Sequence, residues 1–278
     1  MSLNRRLHWR GREVAWDRCG AGPPLVLLHG TPWSAALWQP VAAALSTRFT
    51  VYRWDMPGYG ESSKDPSDQV DLGLQGELFA ALLQEWQLER PHVIAHDVGG
   101  AVALRARLLH RARYASLCLV DVVALRPWGS PFFTLVRDHA EVFTQLPPAV
   151  HRGALEAYIR GASHRGLSED ELAMLVAPWT GAEGQRAFYR QIAQADERYT
   201  DEVEGRYGEI DEPTHIIWGV EDTWIPPDRA HRLQELIPRA SLALLEGAGH
   251  LVQLDAPTAL AAELTRWTER VRHHATSS

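Results

Sequence analysis

The stretch that most constrains this chain is His92–Leu104, HVIAHDVGGAVAL, where an apolar run passes directly into a helical period. The run HVIA shows no polar/apolar alternation, so it reads as a strand buried on both faces, the kind found in a parallel sheet covered by helices. Gly99 and Gly100, just after Asp97, permit a sharp corner and close helix-to-strand contact. Asp97 therefore stands at the N-terminal end of a helix, where unpaired N–H groups and the helix dipole favour negative charge. A plain N-cap is one reading of this residue; a carboxylate displayed for chemistry is the other.

The rest of the chain fits such a corner. Candidate strands are Arg6–Trp9, Glu13–Cys19, Leu25–Leu28, Thr50–Trp54, His92–Ala95, Ser116–Val122, Thr214–Trp218 and Ser241–Leu245. Helical periods fall at Ala36–Leu45, Leu72–Trp86, Gly100–Leu109, Arg229–Leu236 and Thr258–Val271. Alternation of strand and helix predicts an α/β doubly wound sheet, with the two runs before Leu25 adding an antiparallel edge. The rhythm breaks once. Between Val122 and Thr214 there are only helical stretches, near Phe132–Phe143, Ala149–Arg160, Ser168–Leu175 and Gly184–Ala195, separated by prolines and glycines. This predicts a core of residues 1–122 and 211–278 with a helical cap, 123–210, over the carboxyl ends of the strands. The final HHATSS is expected to fray.

Composition narrows the function classes. The chain has 278 residues, 45% of them hydrophobic, enough for a sizeable core, and its net charge of −7 gives no footprint for nucleic acid. Cys19 and Cys118 are the only cysteines and are expected to be reduced thiols. No signal peptide, membrane span or metal-binding spacing is visible, and the adjacent His273 and His274 read as solvated tail. The expectation is a cytoplasmic protein acting on a small molecule, with no cofactor, no metal, and no nucleic-acid or membrane partner; a homodimer is compatible with the chain.

Two downstream segments supply what a reactive carboxylate needs. Ile216–Asp222, IIWGVED, is a strand and turn ending in Asp222; GAGH places His250 in a loop after the strand Ser241–Leu245. The order is nucleophile, acid, histidine. Upstream, Leu25–Leu28 ends in HGTP, so the N–H groups of Thr31 and Val98 are candidate oxyanion donors. His29 reads as a buried structural histidine and Asp55, in DMPGYGES, as a turn residue. Asp121 is a reserve acid.

With HGTP, DMPGYGES, HDVGG, WGVED and GAGH in order, the chain resembles the α/β-hydrolase superfamily over nearly its whole length. The resemblance implies a mostly parallel eight-stranded sheet flanked by helices with an inserted helical cap. Aspartate at the elbow, where many members carry serine, makes it similar to the epoxide hydrolase and haloalkane dehalogenase branch. A carboxylate needs no base to be nucleophilic, and at an sp³ carbon it can open an epoxide or expel a halide. The expected course is an alkyl ester on Asp97, hydrolysed by water that His250 and Asp222 activate.

Epoxide hydrolases in this branch also use cap tyrosines to protonate the departing oxygen, which points to Tyr158 and Tyr189. Dehalogenases carry a Trp after the nucleophile, where this chain has Val98, although Trp33, Trp38, Trp128 or Trp179 could offer an indole N–H. The arginines of fluoroacetate dehalogenases are absent from the stretch after Asp97. The expectation is an epoxide hydrolase-like enzyme for a small apolar organic substrate and water. A haloalkane dehalogenase, an ester or lactone hydrolase and a non-catalytic binding protein are the alternatives. The aromatic residues of the cap, among them Trp128, Phe133, Phe143 and Phe188, are expected to shape the pocket.

Overall fold

The computed structural model describes residues 2–276, with side chains described as far as Val271. Eight strands form one sheet: β1 (Arg5–Trp9), β2 (Arg12–Cys19), β3 (Pro24–Leu28), β4 (Thr50–Trp54), β5 (His92–His96), β6 (Ser116–Val120), β7 (Thr214–Gly219) and β8 (Ala240–Leu245). Their order across the sheet is β1-β2-β4-β3-β5-β6-β7-β8. The two pairings that involve β2 are antiparallel and all others are parallel. This is the expected doubly wound sheet with an antiparallel edge.

Burial follows from position. Every residue of β5, β6 and β7 is buried, whereas the edge strands β1 and β8 are half exposed. Strands covered on both faces have no solvent side to mark with polar residues, which is why their sequences do not alternate. Apolar side chains fill both sides: Trp54, Phe79 and Tyr114 stack on one face, and Trp38, Phe49 and Trp267 pack on the other.

The register brings the carboxyl ends of the parallel strands to one rim. Ala95 pairs with Leu119, Val120 with Ile217, and Gly219 with Leu245. The loops after β3, β5, β6, β7 and β8 leave from this rim.

Between β6 and β7 the chain holds helices at Pro131–Asp138, Ala140–Phe143, Pro148–Arg160, Glu169–Val176, Gly181–Ala193 and Arg198–Glu204. Ser130 caps the first, and Ser168 with Glu171 forms a capping box on the fourth. The last of the six has no counterpart in the sequence reading, since its seven residues are too few for a clear period. The carboxyl-terminal helix runs Pro257–Thr276, five residues beyond the expected end at Val271, so the backbone does not fray at His273. The side chains of His273 and His274, and the last two residues of the tail, lie outside the described residues. Cys19 is exposed and Cys118 buried, and they do not pair. Among the described residues no helix is long and apolar enough to cross a membrane, and no cluster of metal-ligating side chains occurs.

Candidate active site

The corner after β5 is sharp. Asp97 has φ 52° and ψ −128°, a conformation that costs a non-glycine residue free energy. Neighbours leave room for it: a Cβ at Gly30 would sit 2.3 Å from that of Asp97, and one at Gly99 would sit 2.5 Å from the His29 carbonyl oxygen. The Asp97 carbonyl accepts from Gly100 N at 2.9 Å and Val123 N at 3.0 Å. Its side chain makes no capping bond to the helix Val98–Leu109. The N-cap reading is therefore set aside, because the carboxylate is turned elsewhere.

It is turned toward Thr31 and His250. Thr31 N donates to Asp97 Oδ1 at 2.6 Å. His250 Nε2 lies 3.2 Å from Asp97 Oδ2, an ion-pair contact too bent for a well-aligned hydrogen bond. The other imidazole nitrogen, Nδ1, donates to Asp222 Oδ2 at 2.9 Å. Asp222 is fixed in turn, since its Oδ1 accepts from Trp224 N at 2.8 Å and Ile225 N at 2.9 Å. All three side chains are buried. Val98 opens the helix, so its N–H has no intrahelical acceptor, and it lines the cavity beside Asp97.

The electrostatics divide the roles. Burial alone would raise the Asp97 pKa, but contact with His250, the charge of His250 and the Thr31 N–H together hold it below the ordinary value. Burial also opposes a charged His250, yet Asp222 first and then Asp97 outweigh it and push the imidazole well above its usual pKa. His96, immediately before Asp97, is driven down to about 3 by burial and by the charge of His250. It stays neutral and donates from Nε2 to the His250 carbonyl at 2.9 Å. Asp121 is pushed well above the usual carboxylate value by burial and by Asp222. Its Oδ1 accepts from Gly219 N at 2.8 Å, and it makes no bond to His250. Asp222, not Asp121, is the carboxylate on the imidazole.

In front of Asp97 is a cavity of about 30 Å³, lined by Thr31, Val98, Trp128, Phe133, Tyr158 and Trp224, among others. That is space for one or two waters, so a larger ligand requires part of this lining to shift. Trp224 is the residue the sequence reading missed. Its ring stacks on His250 at 5.1 Å, on Tyr158 at 4.4 Å and on Trp33 at 5.7 Å. Its place two residues after Asp222 was the available signal.

The two tyrosines separate. Tyr158 lines the cavity, and burial together with the Asp97 charge raises its pKa. Tyr189 does not reach the cavity: its hydroxyl donates to His151 Nδ1 at 2.8 Å, while His151 Nε2 donates to the Trp179 carbonyl at 3.0 Å. Phe143 and Phe188 likewise pack around Tyr189 within the helical segment. Three of the four candidate indoles are engaged, Trp38 with Leu28 O, Trp128 with Thr200 Oγ1 and Trp179 with Pro32 O. The Trp33 N–H is buried and has no acceptor. His29 ties two loops through Gly30 O and Met56 N, and Asp55 accepts from Ala35 N and Glu61 N, both structural as expected.

This sheet, with a sharp strand-to-helix corner after β5, is the fold of an α/β hydrolase. The alpha/beta hydrolase family matches residues 25–263, and the chain belongs to it. It is similar to an alpha/beta hydrolase fold protein from Burkholderia ambifaria, with 45% identity, TM-score 0.92, and 95% of this chain and 97% of that one covered. It is 36% identical over 259 residues to the pimeloyl-[acyl-carrier protein] methyl ester esterase of Aeromonas hydrophila, covering 88% of this chain and 95% of that protein. A haloalkane dehalogenase, DatA from Agrobacterium tumefaciens, shares the fold at TM-score 0.81 and 19% identity, over 96% of each chain. The chain spans 64% of the dihydrolipoyllysine-residue acetyltransferase component of the acetoin cleaving system of Pseudomonas putida, at 27% identity over 264 residues and 88% of its own length.

Proposed function

We propose that this hydrolase works through a covalent alkyl ester on Asp97 and that it opens epoxides. The carrying observation is the carboxylate itself, with Oδ1 on the Thr31 N–H and Oδ2 facing His250. Oδ2 attacks a saturated carbon, the C–O bond of the epoxide breaks, and Tyr158 gives its proton to the departing oxygen. Water then attacks the ester carbonyl carbon and loses its proton to His250. The charge gathers on Oδ1, which Thr31 N–H and Val98 N–H stabilise. Collapse breaks the ester C–O bond as the imidazolium gives its proton to the leaving oxygen; the diol departs, and the proton left on the Asp97 carboxyl returns to the Tyr158 phenolate, which restores both groups. The helical segment between β6 and β7 acts as the cap that keeps bulk water from the first step.

A second reading is halide expulsion, for which the Trp33 N–H would be the donor: it is buried without an acceptor and its ring stacks on Trp224, which lines the cavity. An ester or lactone hydrolase would need Asp97 to serve acyl chemistry, for which the elbow lacks a serine. The test is trapping in His250→Ala. Mass spectrometry of the protein incubated with an epoxide, and separately with an alkyl halide, should find an adduct on Asp97 that persists. Ester cleavage by the wild type, with neither reagent labelling Asp97, would overturn the alkyl-enzyme reading.

A further inference from the structure

We infer that the opposite end of the sheet carries an anion-binding groove for an oligophosphate, separate from the hydrolase site. The groove has a volume of about 690 Å³ and lies where the chain enters β5, β6, β7 and β8. Asp97, Asp222 and His250 follow the other ends of these strands. The five residues of β5 at about 3.3 Å each put roughly 16 Å between the two places.

Six arginines line the groove: Arg90, Arg107, Arg111, Arg113, Arg206 and Arg239. Elsewhere along the chain arginines are commonly held by carboxylates, as Arg53 is by Asp17 and Arg126 by Glu197 and Asp201. In the groove Arg107 is held by Glu212 and Asp211, and Arg206 by Glu209. The guanidinium groups of Arg90, Arg111 and Arg113 are exposed and form neither an ion pair nor a hydrogen bond. These three also line an adjoining depression of about 330 Å³. On a chain of net charge −7, three uncompensated cations gathered in one concavity stand out.

Local structure adds a second observation. Arg111 follows the end of the helix Val98–Leu109 with φ 60°, and Ala112 N closes the turn on Ala106 O at 3.0 Å. Glycine is the ordinary residue for that left-handed position, and a larger one is strained there. The helix dipole favours a cation there, which accounts for Arg111 but not for Arg90 or Arg113, since these lead into β5 and β6. What all three share is the groove. Guanidinium forks match phosphate oxygens in geometry, and a chain of phosphates carrying three or four negative charges matches three free guanidinium groups in number.

The test is calorimetric titration of tripolyphosphate, and separately of adenosine triphosphate, into the full chain. Saturable binding of one equivalent is expected. Arg111→Ala and Arg113→Ala should each weaken it about tenfold, and the Arg90/Arg111/Arg113 triple alanine variant should abolish it. Arg186→Ala, an exposed arginine outside the groove, should leave it unchanged. Equal affinity for the two probes means that the phosphate chain alone is read; tighter binding of the nucleotide means that a nucleoside-borne chain is. Absence of binding by both probes at millimolar concentration would overturn the inference. So would a triple variant that binds as the wild type does, or equal weakening by Arg186→Ala. These side chains hold no structural bonds, so an unchanged melting temperature accompanies each variant.

Discussion

In the proposed mechanism, esterification of Asp97 should turn His250 from an imidazolium into a neutral base, and Asp97→Asn isolates that effect. In the resting site two carboxylates face one imidazole, Asp222 at 2.9 Å and Asp97 at 3.2 Å. Coulomb's law over 3.2 Å, with an effective dielectric of about 20, gives roughly 5 kcal/mol for the Asp97 contact. An ester or an amide in its place carries no charge, so this support for the imidazolium vanishes while the opposing effect of burial remains. In Asp97→Asn, His250 should therefore release its proton at a lower pH than in the wild type. Stability follows the same sign. A raised folded-state pKa contributes stability that is complete below the ordinary imidazole value and is lost as pH rises through the raised one, so in the variant the loss should be smaller and finish at lower pH. NMR titration of ¹⁵N-histidine-labelled protein, with His250→Ala to assign the signal, reads this directly. Coincident titrations of His250 in wild type and variant would refute the reasoning, because the base would then be indifferent to the charge it is proposed to sense.

Asp222→Asn should lower turnover about a thousandfold or more by disturbing the His250 tautomer. Asp121→Asn, which imitates the protonated acid, should change turnover by less than about threefold; steady-state rates of the two variants decide between these carboxylates. Tyr158→Phe should slow epoxide opening by about a hundredfold. Tyr189→Phe should leave the rate intact and lower stability by about 1 kcal/mol through the lost bond to His151, read by urea denaturation. His96, neutral in the fold with a pKa of about 3 against 6.5 unfolded, should destabilise the protein as pH falls through that window. The loss reaches roughly 5 kcal/mol at its lower end, and a shallower acid limb in the denaturation of His96→Asn is the check.

The parts of this molecule that were legible in its sequence share one property: each is set by residues close together in the chain. The apolar runs of β5, β6 and β7 and the glycines after Asp97 announce a strand, a corner and a helix without help from elsewhere. The order of Asp97, Asp222 and His250 was readable because each sits in a short motif just after a strand, and parallel register carries those loops to one rim. What was not legible depends on distant partners. Tyr158 and Tyr189 both lie on helices of the segment between β6 and β7, yet one faces Asp97 and the other finds His151 nearly forty residues away in sequence. Periodicity gives the buried face of a helix, and not which neighbour that face meets. Trp224 is subtler still, because its stacking on His250, Tyr158 and Trp33 joins three separate segments. The corner that presents Asp97 is thus written locally, while the shape of the cavity before it is written in long-range aromatic contacts. Trp224→Ala or Phe133→Ala should accordingly alter the choice of substrate more than the ability to form the ester.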